Sequence, residues 1–348
     1  MPFIIHHNDD DGRCSAAVIY NEIFSENALD ADIPCIEYGH TGALDFPFDK
    51  LTDNDTIFIV DLSLDPVIYG FIQKVIGEKP STQIVHIDHH QTSLDFIKTM
   101  DQTMKDTMSH VRQFYKVGIS ASMLCWVYAC MTSQERERCG SVVFDFTENY
   151  SHVGISEDGT MDHIREYRVP MIVRFIDDYD VWRHAMSSTK AFNLGFSIVE
   201  DKHPSNDLWK DLLYGQDFRL EKMFVEPGEI IQRYKTAENK RIMRNAFEIN
   251  SDEHILFKEF GTFTMLCVNA TTHTSILFGD RIKDYDAVCV YHYDGENNQW
   301  RYSMYSNEET GIDVSFICKK YCDGGHVHAA GFQTNENIFT EIFMTTLS

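Results

Sequence analysis

The 348-residue chain has little of what would send it to a membrane, to the secretory route or to a long nucleic acid. No apolar run approaches the roughly 20 residues needed to span a bilayer. The N-terminus has no basic segment followed by an apolar one, so a cytoplasmic protein is expected. The nine cysteines contain no Cys-x-x-Cys pair; the closest spacings are Cys125 to Cys130 and Cys318 to Cys322. Such spacing argues for reduced, mostly buried thiols rather than a disulfide framework. Basic residues are scarce, 30 against 54 acidic ones, for a formal charge of −24. Non-specific binding to long nucleic acid works by displacing counterions with Lys and Arg, which this balance disfavours. A short or mononucleotide phosphoester, engaged by metal ions and a few local cations, remains compatible, and the charge favours attraction of divalent metal. There is no tandem repeat and no low-complexity tract.

What is present is an ordinary globular composition, 43% hydrophobic and 13% aromatic, with length enough for two domains. Short apolar runs alternate with amphipathic stretches in the first half, the pattern of βα units on a parallel sheet. Residues 3–7, 35–38, 56–61 and 83–88 read as strands, and 11–26, 66–76 and 120–131 as helices. Residues 165–176 read as helix or strand, which periodicity does not decide. Residues 183–228 read as a polar connecting region and 229–247 as a helix. Strand-like runs follow at 262–268, 287–293 and 300–305, then a helix at 312–322 and a glycine-rich turn, Asp323-Gly324-Gly325-His326. The expected architecture is α/β: a parallel-sheet domain over 1–185, a linker and connecting helix over 186–250, and a smaller α/β domain over 251–348.

Four apolar runs each deliver an acidic cluster. His7-Asn8-Asp9-Asp10-Asp11-Gly12 follows Phe3-Ile4-Ile5; Asp61 follows Ile57-Phe58-Ile59-Val60; Asp88-His89-His90 follows Gln83-Ile84-Val85-His86-Ile87; Asp177-Asp178-Tyr179-Asp180 follows residues 171–176. Singly, each has a bland explanation. Asp9 to Gly12 suits a turn that caps the next helix, Asp61 suits an N-cap, and Asp177 to Asp180 suits a solvated loop. His6 and His86 fall on the opposite strand parity from His7 and Asp88 and are expected to pack or hydrogen-bond locally. Coincidence at four successive element ends is harder to explain blandly, because ligands in open α/β sheets gather beyond the carboxyl ends of the strands. Carboxylates and imidazoles without thiolates favour Mn²⁺ or Mg²⁺, and crowded carboxylates call for a pair of divalent cations as compensation.

These clusters, in this order, resemble the motifs of the DHH phosphoesterases, and Gly324-Gly325-His326-Val327-His328-Ala329-Ala330-Gly331-Phe332 resembles the substrate-binding motif of the associated DHHA1 domain. The likeness is to the oligoribonuclease-type members. It implies that His7 and Asp9 hold one metal, that Asp11, His89 and Asp178 hold a second, and that Asp61 bridges both. In the fourth cluster Asp177 and Asp180 stay open as alternatives to Asp178. Asp88 is implied to orient an imidazole from outside the ligand set, and His90 to face the phosphate or the attacking water.

Gly324, Gly325 and His326 are implied to hold a substrate phosphate. Two departures stand out: Asp323 replaces a further Gly, and Tyr305 replaces an Arg that grips a terminal phosphate in related proteins. Arg301 can substitute if Arg301, Ser303 and Tyr305 share one face of a regular strand. The resemblance therefore implies hydrolysis of short oligonucleotides or small nucleotide phosphoesters, between the two lobes, by a water activated by two Mn²⁺ ions (Mg²⁺ being the alternative). Related proteins are often homodimers. Alternatives are a RecJ-like single-strand exonuclease and a cyclic-nucleotide or nucleoside-bisphosphate phosphohydrolase. A nucleotide-binding protein without turnover is the alternative of another class.

Overall fold

A computed structural model describes residues 2–24, 33–39, 44–156, 164–253, 257–271, 275–307, 312–321 and 324–340. The chain divides into two compact units, Met1–Gln232 and Arg233–Ser348. The expected positions Glu26, Cys322 and Asp323 lie outside the described residues.

In the first unit, β1 (Pro2–His7), β2 (Cys35–Tyr38), β3 (Thr56–Val60), β4 (Gln83–Asp88) and β5 (Val111–Tyr115) form one sheet in the order β2-β1-β3-β4-β5. Every pairing in it is parallel. The strands are apolar on both faces because helices cover both. Ile4, Phe58, Val60, Val85, Ile87 and Phe114 enter one core with residues of α1 (Asp10–Val18) and α5 (Ala121–Cys130). Phe3, Ile5, Ile57, Ile59, Ile84 and Val111 enter another with α2 (Pro66–Glu78). Two short helices, α3 (Gln91–Thr99) and α4 (Gln102–Met108), lead into β5, and α6 (Ser133–Glu137) follows α5. In this strand order the chain reverses between β1 and β3, and a crevice opens at their carboxyl ends. His7 ends β1, Asp61 follows β3, and Asp88 ends β4, so topology alone brings three clusters together.

The undecided stretch around 165–176 is both strand and helix. β8 (Ile164–Arg168) completes a small antiparallel sheet with β6 (Phe144–Phe146) and β7 (His152–Ser156), and α7 (Met171–Asp180) begins after the N-cap Pro170. Proline at the junction disfavours helix at the residue before it and fits the helix start that follows. The fourth acidic cluster thus lies on the last turn of a helix, not at a strand end.

The supposed connecting region is folded. It forms α8 (Thr189–Phe196), α9 (Leu208–Tyr214) and α10 (Asp217–Leu220), then a π-helical turn at Glu221–Val225 that runs into α11 (Glu226–Ile242). Phe192, Phe196, Trp209, Leu212 and Phe224 are buried in the first core. The expected linker over 186–250 therefore gives residues up to Gln232 to the first unit. Gly228 packs so close that a Cβ would lie 1.7 Å from the Ala191 carbonyl oxygen.

The second unit holds β9 (Phe247–Asn250), β10 (Thr264–Asn269), β11 (Ala287–Asp294), β12 (Gln299–Ser306), β13 (Gly324–His326) and β14 (Ala329–Thr334), in the order β13-β14-β12-β11-β10-β9, with α12 (Val314–Lys319). The expected glycine-rich turn is a short strand: Gly324–His326 pairs antiparallel with β14. No helix among the described residues is long and apolar enough to cross a membrane.

Candidate metal centre

The first ligand cluster forms where β1 hands over to α1. Asp9 caps α1, its carboxylate accepting from the Gly12 N–H at 2.9 Å and from His7 Nδ1 at 2.7 Å. Burial alone would raise the Asp9 pKa, but the His7 and Gly12 hydrogen bonds overcome it and hold the group at about 2. Gly12 is required here, since a Cβ would sit 2.4 Å from the His7 carbonyl oxygen. Asp11 lies in the first turn of α1. It accepts the N–H groups of Ala121 and Ser122 at 2.8 and 3.0 Å, at the positive N-terminus of α5.

Asp61 occupies the centre. It sits in a left-handed backbone conformation, φ +56°, sparsely populated for a non-glycine residue, and it is 1% exposed. Among the described residues, neither of its carboxylate oxygens accepts a hydrogen bond. His7 Nδ1 lies 3.8 Å from one, and His89 Nε2 lies 3.3 Å from the other. Burial, and then the charges of Asp11, Asp9, Asp180 and Asp88, push its pKa well above the carboxylate range. A buried, unpaired carboxylate among four others is unfavourable alone and well suited to cations.

The Asp88-His89-His90 triplet divides its work. His89 Nε2 faces Asp61, Asp180 at 3.5 Å and Asp11 at 3.9 Å. Asp88, fully buried, accepts from His90 Nδ1 at 2.7 Å and from the Ser93 hydroxyl. The imidazole that Asp88 orients is therefore that of His90. Burial would lower the His90 pKa, and the Asp88 hydrogen bond and charge more than reverse it. Ser93 was missed by sequence reasoning; its signal was a hydroxyl in the first turn of α3, five residues beyond Asp88.

His86 and His6 lie outside the cluster, as their parity implied. His86 is buried, with Nε2 2.7 Å from the Leu62 carbonyl and Nδ1 2.7 Å from the Tyr115 hydroxyl. His6 Nδ1 donates to the His7 carbonyl at 2.7 Å.

The fourth cluster departs from the preferred reading. Asp178 does not face the other ligands. Its carboxylate accepts from the backbone N–H groups of Ala185 and Met186, at 2.8 and 3.1 Å, and from the Thr189 hydroxyl. Asp177 is equally committed, to the Ser120 N–H at 2.7 Å and to Arg183 at 2.6 Å. Asp180 is the carboxylate that meets His89, and its Oδ2 is buried without a hydrogen-bond partner. Burial, then the charges of Asp11 and Asp9, raise its pKa to about 8. The physical reason is helical phase: residues 178 and 180 project about 200° apart on α7.

Three ligand groups result, each with its donor atoms within 4.8 Å of one another: His7, Asp9 and Asp61; Asp11, His89 and Asp180; and Asp61, His89 and His90. These groups are placed to hold metal, and the orphaned oxygens of Asp61 and Asp180 fit cations rather than further hydrogen bonds. Beside them a pocket of about 180 Å³ is lined by Asp9, Asp11, Tyr179, Asp180, Phe192 and Asn193. Lys202, also missed by sequence reasoning, pairs with Asp10 at 2.7 Å.

In the second unit, the regular β11–β12 register puts Arg301, Ser303 and Tyr305 on one face, opposite the buried Tyr302 and Met304. Arg301 Nε lies 2.8 Å from an Asp294 oxygen, and Arg301, Ser303, Gly324 and Gly331 line an open depression of about 300 Å³. Gly325 has φ +146°, and a Cβ there would lie 2.6 Å from the Ala329 carbonyl oxygen. His326 is exposed on β13, whereas Tyr305 packs against the cluster formed by Leu266, Val268, Val288 and Val290.

No protein-family model and no curated protein matches the chain. Solved structures do. One is a DHH domain described as a member of the S1p family of ribosomal proteins, 13% identical, covering 99% of this chain and 84% of that one, with a TM-score of 0.51. Others are the pGpG-specific phosphodiesterase PggH from Vibrio cholerae (11% identity, 99% and 97% coverage, TM-score 0.45) and RecJ in complex with Mn²⁺ from Thermus thermophilus (11%, 99% and 51%, TM-score 0.40). The chain has the fold of a DHH-domain protein, with imidazoles and carboxylates grouped at the carboxyl ends of its parallel strands.

Proposed function

We propose that this protein is a metal-dependent phosphodiesterase that hydrolyses short oligonucleotides or small nucleotide phosphoesters. The observation that carries the reading is Asp61, whose two buried, unpartnered oxygens face His7 on one side and His89 on the other. His7, Asp9 and Asp61 would hold one divalent cation, and Asp11, His89 and Asp180, with Asp61 beside them, would hold a second. Mn²⁺ suits this mixed imidazole–carboxylate set best, with Mg²⁺ the alternative. Bound there, the pair supplies Lewis acidity toward phosphoryl oxygens and lowers the pKa of water.

The chain's own residues supply the rest. His90, whose pKa the Asp88 carboxylate raises, is placed to donate a hydrogen bond to a phosphate oxygen whose charge grows in the transition state. Asp88, itself held by the Ser93 hydroxyl, fixes the ring's direction. Asp11, held by the N–H groups of Ala121 and Ser122, keeps its ligand geometry without relying on the cation. The pronounced acidity of the chain disfavours long polymers and leaves short substrates as the better fit.

The test is time-resolved cleavage of di- to pentanucleotides and of long single strands with Mn²⁺, beside Asp61→Asn. Turnover of the short substrates that is lost in Asp61→Asn is expected. Preferential, processive degradation of the long strand would overturn the short-substrate assignment, and unchanged turnover in Asp61→Asn would overturn the metal site.

A further inference from the structure

We infer that Trp182, with Tyr179, is a nucleobase-stacking platform at the rim of the metal centre, so that the substrate must carry a base. The inference rests on the proposed phosphoester chemistry and names the substrate class of that same site.

Trp182 is 70% exposed, an unusual position for a side chain whose natural use is burial. It follows Asp180 by two residues, and its ring stacks on Tyr179, centroids 6.0 Å apart and planes inclined by 28°. Tyr179 lines the pocket beside Asp9, Asp11 and Asp180, so the two rings continue one aromatic wall outward from the ligands.

The exposure is not slack in a loose loop. Trp182 has φ +53° and His184 has φ +47°, conformations that persist only where surrounding contacts enforce them. Those contacts are the two carboxylates that α7 withholds from the metal centre. Asp178 takes the Ala185 and Met186 N–H groups and the Thr189 hydroxyl. Asp177 takes Arg183, whose guanidinium also donates to the Gly118 carbonyl and lies 4.1 Å from the Tyr150 ring centroid. Residues on both sides of Trp182 are thus tied down while its indole faces solvent. His184 adds an edge contact to both rings. A rigid, exposed aromatic surface next to a phosphate-directed site is what base stacking uses, and it accepts any base because every base has a π-face. An inorganic polyphosphate has nothing to place there.

Stacking on one aromatic side chain is worth about five- to a hundredfold in affinity. Trp182→Ala should raise KM for a dinucleotide by about tenfold, with kcat within about threefold. It should leave turnover of the same dinucleotide bearing abasic sites within about twofold, and Trp182→Phe should restore most of the loss. A reading independent of turnover is tryptophan fluorescence with adenosine monophosphate in EDTA: quenching in the native protein, loss of that quenching in Trp182→Phe, and none with ribose 5-phosphate. Equal losses on the base-bearing and abasic substrates would mean that Trp182 only shapes the loop, and would overturn the inference. So would an unchanged KM, an absence of Trp182-dependent quenching, or a self-association of the native protein that Trp182→Phe abolishes. If no phosphodiester is cleaved yet quenching depends on Trp182, the proposed chemistry fails while the base platform stands.

Discussion

Asp180 and Asp178 are two residues apart, and their neutralisation should have opposite consequences. Folding raises the Asp180 pKa from the ordinary 3.8 to about 8. Its contribution is therefore most favourable below about pH 3.8 and is lost progressively as pH rises toward 8, at about 1.4 kcal/mol per unit. At pH 7 the cost accumulated over roughly 3.2 units is about 4 kcal/mol, an upper bound because the side chain keeps 26% of its exposure. Asp180→Asn removes this cost, so the protein in EDTA should melt higher at pH 7, by up to about 8–16 °C at about 2–4 °C per kcal/mol for a unit of this size. The advantage should shrink toward pH 4–5. Mn²⁺ should raise the melting temperature of the native protein more than that of Asp180→Asn, which keeps His7, Asp9 and Asp61 for one cation but loses a ligand for the other. Asp178→Asn exchanges a carboxylate oxygen for an amide that cannot accept from Ala185, Met186 and Thr189 alike. Charge-assisted bonds of this kind are worth about 1.5–3 kcal/mol each, so the melting temperature should fall while Mn²⁺ still stabilises. Thermal melts between pH 5 and 9, with EDTA and with Mn²⁺, read both variants at once. If Asp178→Asn gains stability and loses the Mn²⁺ response while Asp180→Asn merely loses stability, the ligand is Asp178 and the reasoning from hydrogen-bond partners fails.

Other consequences are simpler. His90→Gln should lower kcat for a dinucleotide by about 10²- to 10⁴-fold with KM and Mn²⁺ binding by calorimetry nearly unchanged; a loss of Mn²⁺ binding equal to that of Asp180→Asn would make His90 a principal ligand instead. Gly12→Ala places a methyl group 2.4 Å from the His7 carbonyl oxygen, so α1 must shift from β1. Denaturant melts should register a loss of about 1–3 kcal/mol, and Mn²⁺ affinity should fall with it. His86→Phe strands the Leu62 carbonyl and the Tyr115 hydroxyl. It should cost about 2–4 kcal/mol yet leave Mn²⁺ affinity of the folded protein within about threefold.

The strand-borne part of the site was legible because a parallel sheet needs little side-chain detail to do its work. An apolar run on both faces implies helices on both sides, and parallel order then sends every carboxyl end to one edge. His7, Asp61 and His89 converge for that reason, whatever their neighbours donate. Strand parity likewise separated His6 and His86 from the ligands, since alternate residues leave on opposite faces. The second unit was legible in part: β10, β11 and β12 were read, and Arg301, Ser303 and Tyr305 share one face because the hairpin register is unbroken, but β9, β13 and β14 were not. The folded segment between 186 and 232 was not, because its polar residues obscured Phe192, Phe196, Trp209 and Phe224, which are widely spaced and pack only in three dimensions.

The fourth cluster shows where such reading stops. Once the acidic run lies on α7 rather than on a strand, consecutive positions turn by about 100°, and three aspartates within four residues face three directions. Spacing cannot choose among them; donors can. Asp177 meets an N–H from Ser120, 57 residues earlier in the chain, and Asp178 meets N–H groups that exist only because the following loop turns back on it. Each is satisfied and joins none of the ligand groups, whereas Asp9 and Asp11, though hydrogen-bonded too, each keep an oxygen within 4.8 Å of the other donor atoms of their group. Asp180 is left with a buried oxygen and an imidazole for company. The same accounting that singles out Asp61 between its two histidines thus selects Asp180 on the helix, and it turns the two rejected aspartates into the fixings that hold Trp182 in the open.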